Sequence, residues 1–201
     1  MTISVDFYYG LGSRYSYLAA SQIPRIEASL DCQFVWKPLF SGALIERWQR
    51  NPFVDRPVSG QYDWVYRQRD AERWADYYGI PFHEPQLRAI APKDLALATL
   101  AAAQFGLLKN YSQLLFNAIF AEGRAIDREM LAQFGVSLGI SEIDFYETLR
   151  SPSLQFQLEQ ITQEAFQRGA FGVPTFFVGT EMFWGNDRLV LLEQHLSKND
   201  R

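Results

Sequence analysis

The chain has 201 residues, 48% of them hydrophobic and 15% aromatic, with 19 basic and 23 acidic side chains and a formal net charge of −4. Such a composition supplies a packed core and excludes disorder, which needs low hydrophobicity together with high net charge. The charges are interspersed and no long basic run occurs, so nucleic acid and anionic membrane surfaces are not expected as partners.

Residues 3–9 (ISVDFYY) alternate like a strand. No basic, apolar leader precedes them, and no apolar stretch approaches the ~20 residues that span a bilayer, so a soluble cytoplasmic protein is expected. Gly10, Gly12 and Ser13 break the pattern, and Ser13 or a neighbour can cap a helix running to about Leu30, kinked or interrupted by Pro24. Residues 32–37 (CQFVWK) form a second strand stopped by Pro38. A strand, a helix and a strand in so short a span predict a βαβ unit with parallel strands.

From Ser41 to Gly169 helical periodicity takes over. Helices are predicted over 41–50, 61–79, 92–106, 108–121, 127–138, 142–149 and 151–169. Gly79, Gly106, Gly123 and Gly139 stand at C-cap positions, Asp127 and Ser141 at N-cap positions, and 51–60 reads as a loop. Strands return at 174–178 (PTFFV) and 181–184 (EMFW), joined by Gly179-Thr180 as a hairpin. Asn186 or Asp187 can cap a last helix, 187–197. There is no internal repeat. The order predicts one α/β domain, residues 1–40 and 170–201 with helix 151–169, carrying an all-helical insertion over 41–150. Clefts between such parts are frequent ligand sites.

Two segments carry chemistry. In YYGLGSRYSYLA (8–19) a strand ends, glycines permit close approach, and Ser13 and Ser16 lie on the first turn of a helix. Unpaired N–H groups and the positive end of the helix dipole favour an anion there, although the same serines also suit an ordinary cap. In GAFGVPTFFV (169–178), Pro174 opens a strand, and the Val173-Pro174 bond can be cis or trans. Lys37 faces either an acidic substrate or solvent at a strand end. Trp64, Tyr66, Trp74, Tyr77 and Tyr78 have helical spacing and fit a core or interface better than a binding platform. Trp184 is expected to pack the hairpin against the last helix. Cys32, the single cysteine, cannot form an intrachain disulfide and reads as a structural thiol. His83 and His195 provide no cage, so no metal is expected.

Together these segments resemble the DsbA-like branch of thioredoxin folds, and most of all the 2-hydroxychromene-2-carboxylate isomerases and the related kappa-class glutathione transferases. The resemblance covers nearly the whole chain: the FYY…SRYSYLA opening, WKPLFSGA at 36–43, RWADYYGIPF at 73–82, AEGR at 121–124, and FGVPTFFVGTEMFWGNDRL at 171–189. It implies an α/β thioredoxin-like (DsbA-like) fold with a large all-helical insertion, and glutathione as cofactor. By position, Ser13 and Ser16 stand where redox members carry a Cys-x-x-Cys pair. The resemblance then gives Ser13 a hydrogen bond to the glutathione sulfur, places Val173 and Pro174 beside the cysteinyl part, puts Asn186 and Asp187 at the γ-glutamyl end, and makes Asn51 a further contact. Arg14 replaces the usual proline, losing helix preorganisation; its guanidinium either faces the sulfur or an acidic substrate, or is solvated. Arg14, Tyr15, Ser16 and Lys37 are the substrate-side candidates. The implied activity is glutathione-dependent isomerisation of a conjugated or aromatic small molecule, with a kappa-type transferase or a non-catalytic binding module as alternatives and a homodimer as an allowed assembly.

Overall fold

The computed structural model describes residues 2–49, 63–87 and 89–199. Its centre is β1 (Ile3–Tyr9), which pairs in parallel with β2 (Cys32–Pro38) and antiparallel with β3 (Thr175–Val178). The edge strand β4 (Glu181–Trp184) closes the hairpin onto β3, giving the order β2-β1-β3-β4. The βαβ unit and the hairpin are as the sequence predicts. Gly179 makes the hairpin turn possible, since its φ of 58° is a conformation most side chains avoid.

Between β1 and β2 runs α1 (Arg14–Ser29), continuous through Pro24 rather than interrupted there. Pro24 lies on the solvent side while its neighbours Ile23 and Ile26 are fully buried. The missing N–H therefore falls on the exposed face, and burial of the opposite face holds the helix together.

The insertion supplies α2 (Ser41–Arg47), α3 (Trp64–Tyr78), α4 (Pro92–Ala103), α5 (Leu108–Phe116), α6 (Arg128–Ser137) and α7 (Glu142–Leu149), followed by α8 (Pro152–Gln167). A π-turn, Asn117–Ala121, extends α5. The last helix, α9 (Leu189–Asn199), is preceded by a 3-10 turn over Asn186–Arg188. Helix α4 is buried around most of its circumference, from Leu95 through Ala102, which is the mark of a helix at the centre of a packed bundle. Among the described residues no helix is long and apolar enough to cross a membrane.

Alternation along β1 divides the sheet into two faces. Val5, Phe7 and Tyr9 join Phe34, Trp36 and Phe176 in a core that continues through Leu18 and Ile23 of α1 to Leu95, Leu100 and Tyr111 of the insertion. Phe7 lies between Tyr9, at 4.9 Å between ring centroids, and Phe176, at 5.1 Å, with Trp36 edge-on at 5.1 Å. On the other face Tyr8 and Phe177 meet Leu44 of α2 and Ala165 of α8.

One buried hydrogen bond joins sheet to insertion: Tyr9 Oη lies 2.6 Å from Ser112 Oγ. The Ser112 proton goes to the Leu108 carbonyl at 2.7 Å, so Tyr9 is the donor. Burial drives the Tyr9 phenol well above its usual range, which keeps that donor in place.

Candidate active site

Where β1 ends, the turn through Gly10, Leu11 and Gly12 delivers Ser13 to the N-cap of α1. The turn is held by its own polar groups. Ser13 N–H donates to the Gly10 carbonyl at 3.0 Å, and the Gly10 N–H donates to Ser16 Oγ at 3.2 Å. Ser16 N–H donates in turn to Ser13 Oγ at 3.2 Å. The two serines are thereby separated in role. Ser16 is fully buried under the turn, whereas Ser13 is half-buried on the wall of a cavity of about 300 Å³. The Ser13 oxygen is used as an acceptor and its proton goes to no described residue, so the hydroxyl remains able to donate. The N–H groups of Arg14 and Tyr15, in the first turn, have no acceptor within the helix.

Across the turn lies the Val173-Pro174 bond, which is cis. A Cβ at Gly10 would stand 3.3 Å from Val173 Cγ2 and 3.9 Å from Ser13 Cβ, which measures how closely the two segments approach. Val173 precedes the first ladder residue of β3, so its backbone lies outside the sheet pairing. Pro174 accepts from the Gly185 N–H at 2.9 Å, tying this corner to the end of β4.

The rest of the cavity is largely apolar: Leu39 and Phe40 after β2, Trp64 at the start of α3, and Phe171 and Trp184 from the hairpin side. Trp184 does not pack the hairpin against the last helix. Its ring lies against Phe171, tilted by 55° at 4.8 Å between centroids, while Phe183, pointing to the opposite face, meets His195 of α9 at 5.6 Å. Strand alternation decides this, because adjacent residues of β4 face opposite sides.

Arg14 is not solvated. It is only 6% exposed, forms an ion pair with Glu84, and stands 5.1 Å from the Trp64 ring. Burial holds the Glu84 carboxyl above its usual range, against the lowering effect of the Arg14 charge and hydrogen bond. A carboxyl raised by folding binds its proton more tightly than in the unfolded chain. Its contribution therefore turns against the folded state as pH rises from the ordinary glutamate range through the folded midpoint. A carboxyl NMR titration should place the Glu84 midpoint above that of ordinary glutamate, and the stability gap between wild type and E84Q should move against wild type across the same window. A midpoint at or below the ordinary range would contradict a desolvated carboxyl.

Other candidates fall elsewhere. Tyr15 donates to Asp70 Oδ2 at 2.8 Å under the Arg67 guanidinium, linking α1 to α3 outside the cavity lining. Burial first, and then the hydrogen bond to Asp70, raise its phenol. Lys37 neither meets the cavity nor is free in solvent. It lies on the sheet face covered by α8, with Glu164 at 2.8 Å and Asp6 at 3.1 Å, in a network completed by Arg168. Asn186 and Asp187 line a second, wider cavity with Trp74, Tyr77 and Tyr78. Helix α3 runs along both cavities, Trp64 and Arg67 on the first and Asp70 to Tyr78 on the second. The aromatic residues of α3 are thus more exposed than a core cluster, Tyr77 at 79%. Asn51 lies outside the described residues. Cys32 is buried at the start of β2, and His83 rests against Gly123, neither lining the cavity.

Two residues at the site, Glu84 and Arg67, escape sequence reasoning. Glu84 has no local pattern and only packing brings it to Arg14, while Arg67, one helical turn after Trp64 on α3, needs the packing of α3 against the cavity to reach the site. The arrangement as a whole places a hydroxyl donor, first-turn N–H groups and a helix terminus, groups that favour an anion, beside a largely apolar cavity.

Comparison with known proteins agrees with this fold. The family model for the DSBA-like thioredoxin domain matches residues 4–197. A 2-hydroxychromene-2-carboxylate isomerase of Sphingobium xenophagum is 30% identical over 198 residues, covering 98% of this chain and 99% of that protein. One of Pseudomonas putida is 30% identical over 196 residues, covering 96% and 94%. The solved structure of a 2-hydroxychromene-2-carboxylate isomerase superposes with a TM-score of 0.83 at 27% identity, covering 98% of this chain and 95% of the other. The chain belongs to the DSBA-like thioredoxin family and, within it, to the 2-hydroxychromene-2-carboxylate isomerase family.

Proposed function

We propose that the protein is a glutathione-dependent isomerase of the 2-hydroxychromene-2-carboxylate type, in which Ser13 stabilises the thiolate of bound glutathione. The observation that carries this reading is the Ser13 hydroxyl, its proton unclaimed among the described residues, at the amino end of α1 beside Val173 and Pro174. The names of the relatives over nearly their full length support the reaction class.

The residues present fit a sulfur anion in kind and in magnitude. An ordinary thiol ionises near pH ~8.5, and making it mostly thiolate at neutrality takes about two pK units, or ~2.7 kcal/mol. A hydrogen bond to a charged group contributes roughly 1.5–3 kcal/mol, and a helix terminus about 0.3–1. Ser13 and the end of α1 together reach that sum. Val173 offers backbone groups outside the β3 ladder for the peptide part of the cofactor. Bound glutathione would supply a thiolate that adds reversibly to a conjugated carbonyl substrate and leaves unchanged. The chain's own part is to hold the charge at the helix end and to enclose the substrate among Phe40, Trp64, Phe171 and Trp184.

The direct test is turnover of 2-hydroxychromene-2-carboxylate with and without glutathione. Conversion should require glutathione and leave its amount unchanged. Conversion at the same rate without it rejects the reading, and net loss of glutathione to an electrophile in its place assigns a transferase.

A further inference from the structure

Arg14 holds more hydrogen-bonding capacity than the fold uses. One guanidinium nitrogen, Nη2, donates to Glu84; Nη1 is closed off from water and has no acceptor among the described residues. The whole side chain is only 7% exposed, so the unused donor is a desolvated one, and a charged group in that position is costly to leave unpaired. Arg14 is nonetheless a lining residue of the Ser13 cavity. A second guanidinium, Arg67, lines the same cavity and stands 5.9 Å from the Trp64 ring, over which Arg14 lies at 5.1 Å. No aspartate or glutamate is among the described lining residues. The cavity is therefore cationic at one wall and largely apolar elsewhere, with Phe40, Trp64, Phe171 and Trp184 among its lining and a volume of about 300 Å³.

We propose that Arg14 is the specificity-determining residue of this cavity, its guanidinium turning to give Nη1 to a carboxylate oxygen of a flat aromatic acid held among Trp64, Phe171 and Trp184. The proposal rests on the reading of the Ser13 cavity as the substrate cavity. It adds the group that distinguishes an acid from its neutral counterpart. A planar guanidinium suits the task because its N–H groups form a rigid fork: one arm goes to Glu84 and the other remains for the ligand. Glu84 positions the fork and touches no ligand in this scheme.

The test measures binding, in buffer without glutathione, so that it does not depend on the thiolate chemistry. The probes are 2-naphthoate and 2-naphthamide, followed through quenching of tryptophan fluorescence, since Trp64 and Trp184 line the cavity. Wild type should prefer the acid by about tenfold, the equivalent of ~1.4 kcal/mol. R14M should bring acid and amide to within about twofold of one another while leaving the affinity for the amide nearly unchanged. R14K, which keeps the charge and loses the fork, should fall between. A preference that survives in R14M overturns the proposal, as does the absence of naphthoate binding to wild type. Equal weakening of acid and amide in R14M would make Arg14 a purely structural residue. Should R14M not fold, R14K decides the matter, because an acid preference identical to wild type there also refutes the fork.

Glutathione has carboxylates of its own, and calorimetry with the same variants separates the two sources. Unchanged glutathione affinity in R14M, beside a lost naphthoate preference, assigns the contact to the substrate. A loss of glutathione affinity with naphthoate discrimination intact assigns it to the cofactor and overturns the proposal. If glutathione binds neither protein, the thiolate reading fails alone and the naphthoate result still stands.

Discussion

Replacing Ser13 with glycine is expected to leave bound glutathione largely as the neutral thiol at pH 7 and to lower turnover roughly ten- to hundredfold. The figure follows from the loss of one hydrogen bond to a charged atom, about 1.5–3 kcal/mol, at ~1.4 kcal/mol per factor of ten. Glycine is the informative choice because Ser13 has a structural duty beside the proposed chemical one. Its oxygen also caps α1 by accepting from the Ser16 N–H. Alanine at an N-cap costs about 0.5–2 kcal/mol of stability, but glycine only a few tenths. S13G and S13A should therefore share the chemical defect and differ in melting temperature. The readout is the ultraviolet thiolate absorbance during a glutathione titration, taken alongside steady-state rates. A thiolate signal in S13G equal to that of wild type would remove Ser13 from the chemistry and leave it only a cap.

Truncating Phe7 to alanine should produce the largest loss of stability of any single change to the sheet, about 3–5 kcal/mol. Phe7 is fully buried, sandwiched between Tyr9 and Phe176, with Trp36 against its edge. Because β1 is flanked on both sides and covered by the core, its backbone cannot collapse into the space left behind. Against a typical total of about 5–15 kcal/mol, that is a large fraction. Urea unfolding measures it as a fall in the midpoint with little change in slope. A loss below about 1.5 kcal/mol would mean that the aromatic stack is loosely packed. The consequence reaches the site, since β1 leads directly into the Gly10–Ser13 turn.

The elements themselves were legible in the amino-acid order. The alternation of ISVDFYY, the helical periods of the insertion and the Gly179-Thr180 turn are local patterns. Local patterns suffice because each strand or helix must bury one face. The cap at Ser13 was legible for the same reason, being a relation among residues three apart. Tertiary packing decided matters that depend on which face of an element meets which neighbour. Ser13 and Ser16 look equivalent on one turn until the Gly10 N–H claims the second and leaves the first at the cavity. Lys37 reads as a strand-end lysine until α8 brings Glu164 to it, and Arg14 as a lost proline until Glu84 and Trp64 arrive from the insertion. Even Pro24, a strong local signal against a helix, yielded to the burial of Ile23 and Ile26. Charges and isolated aromatics have no period. Their partners lie far away along the chain, so ordering them is the work of the folded core, which supplies desolvation and proximity that no short stretch of sequence contains.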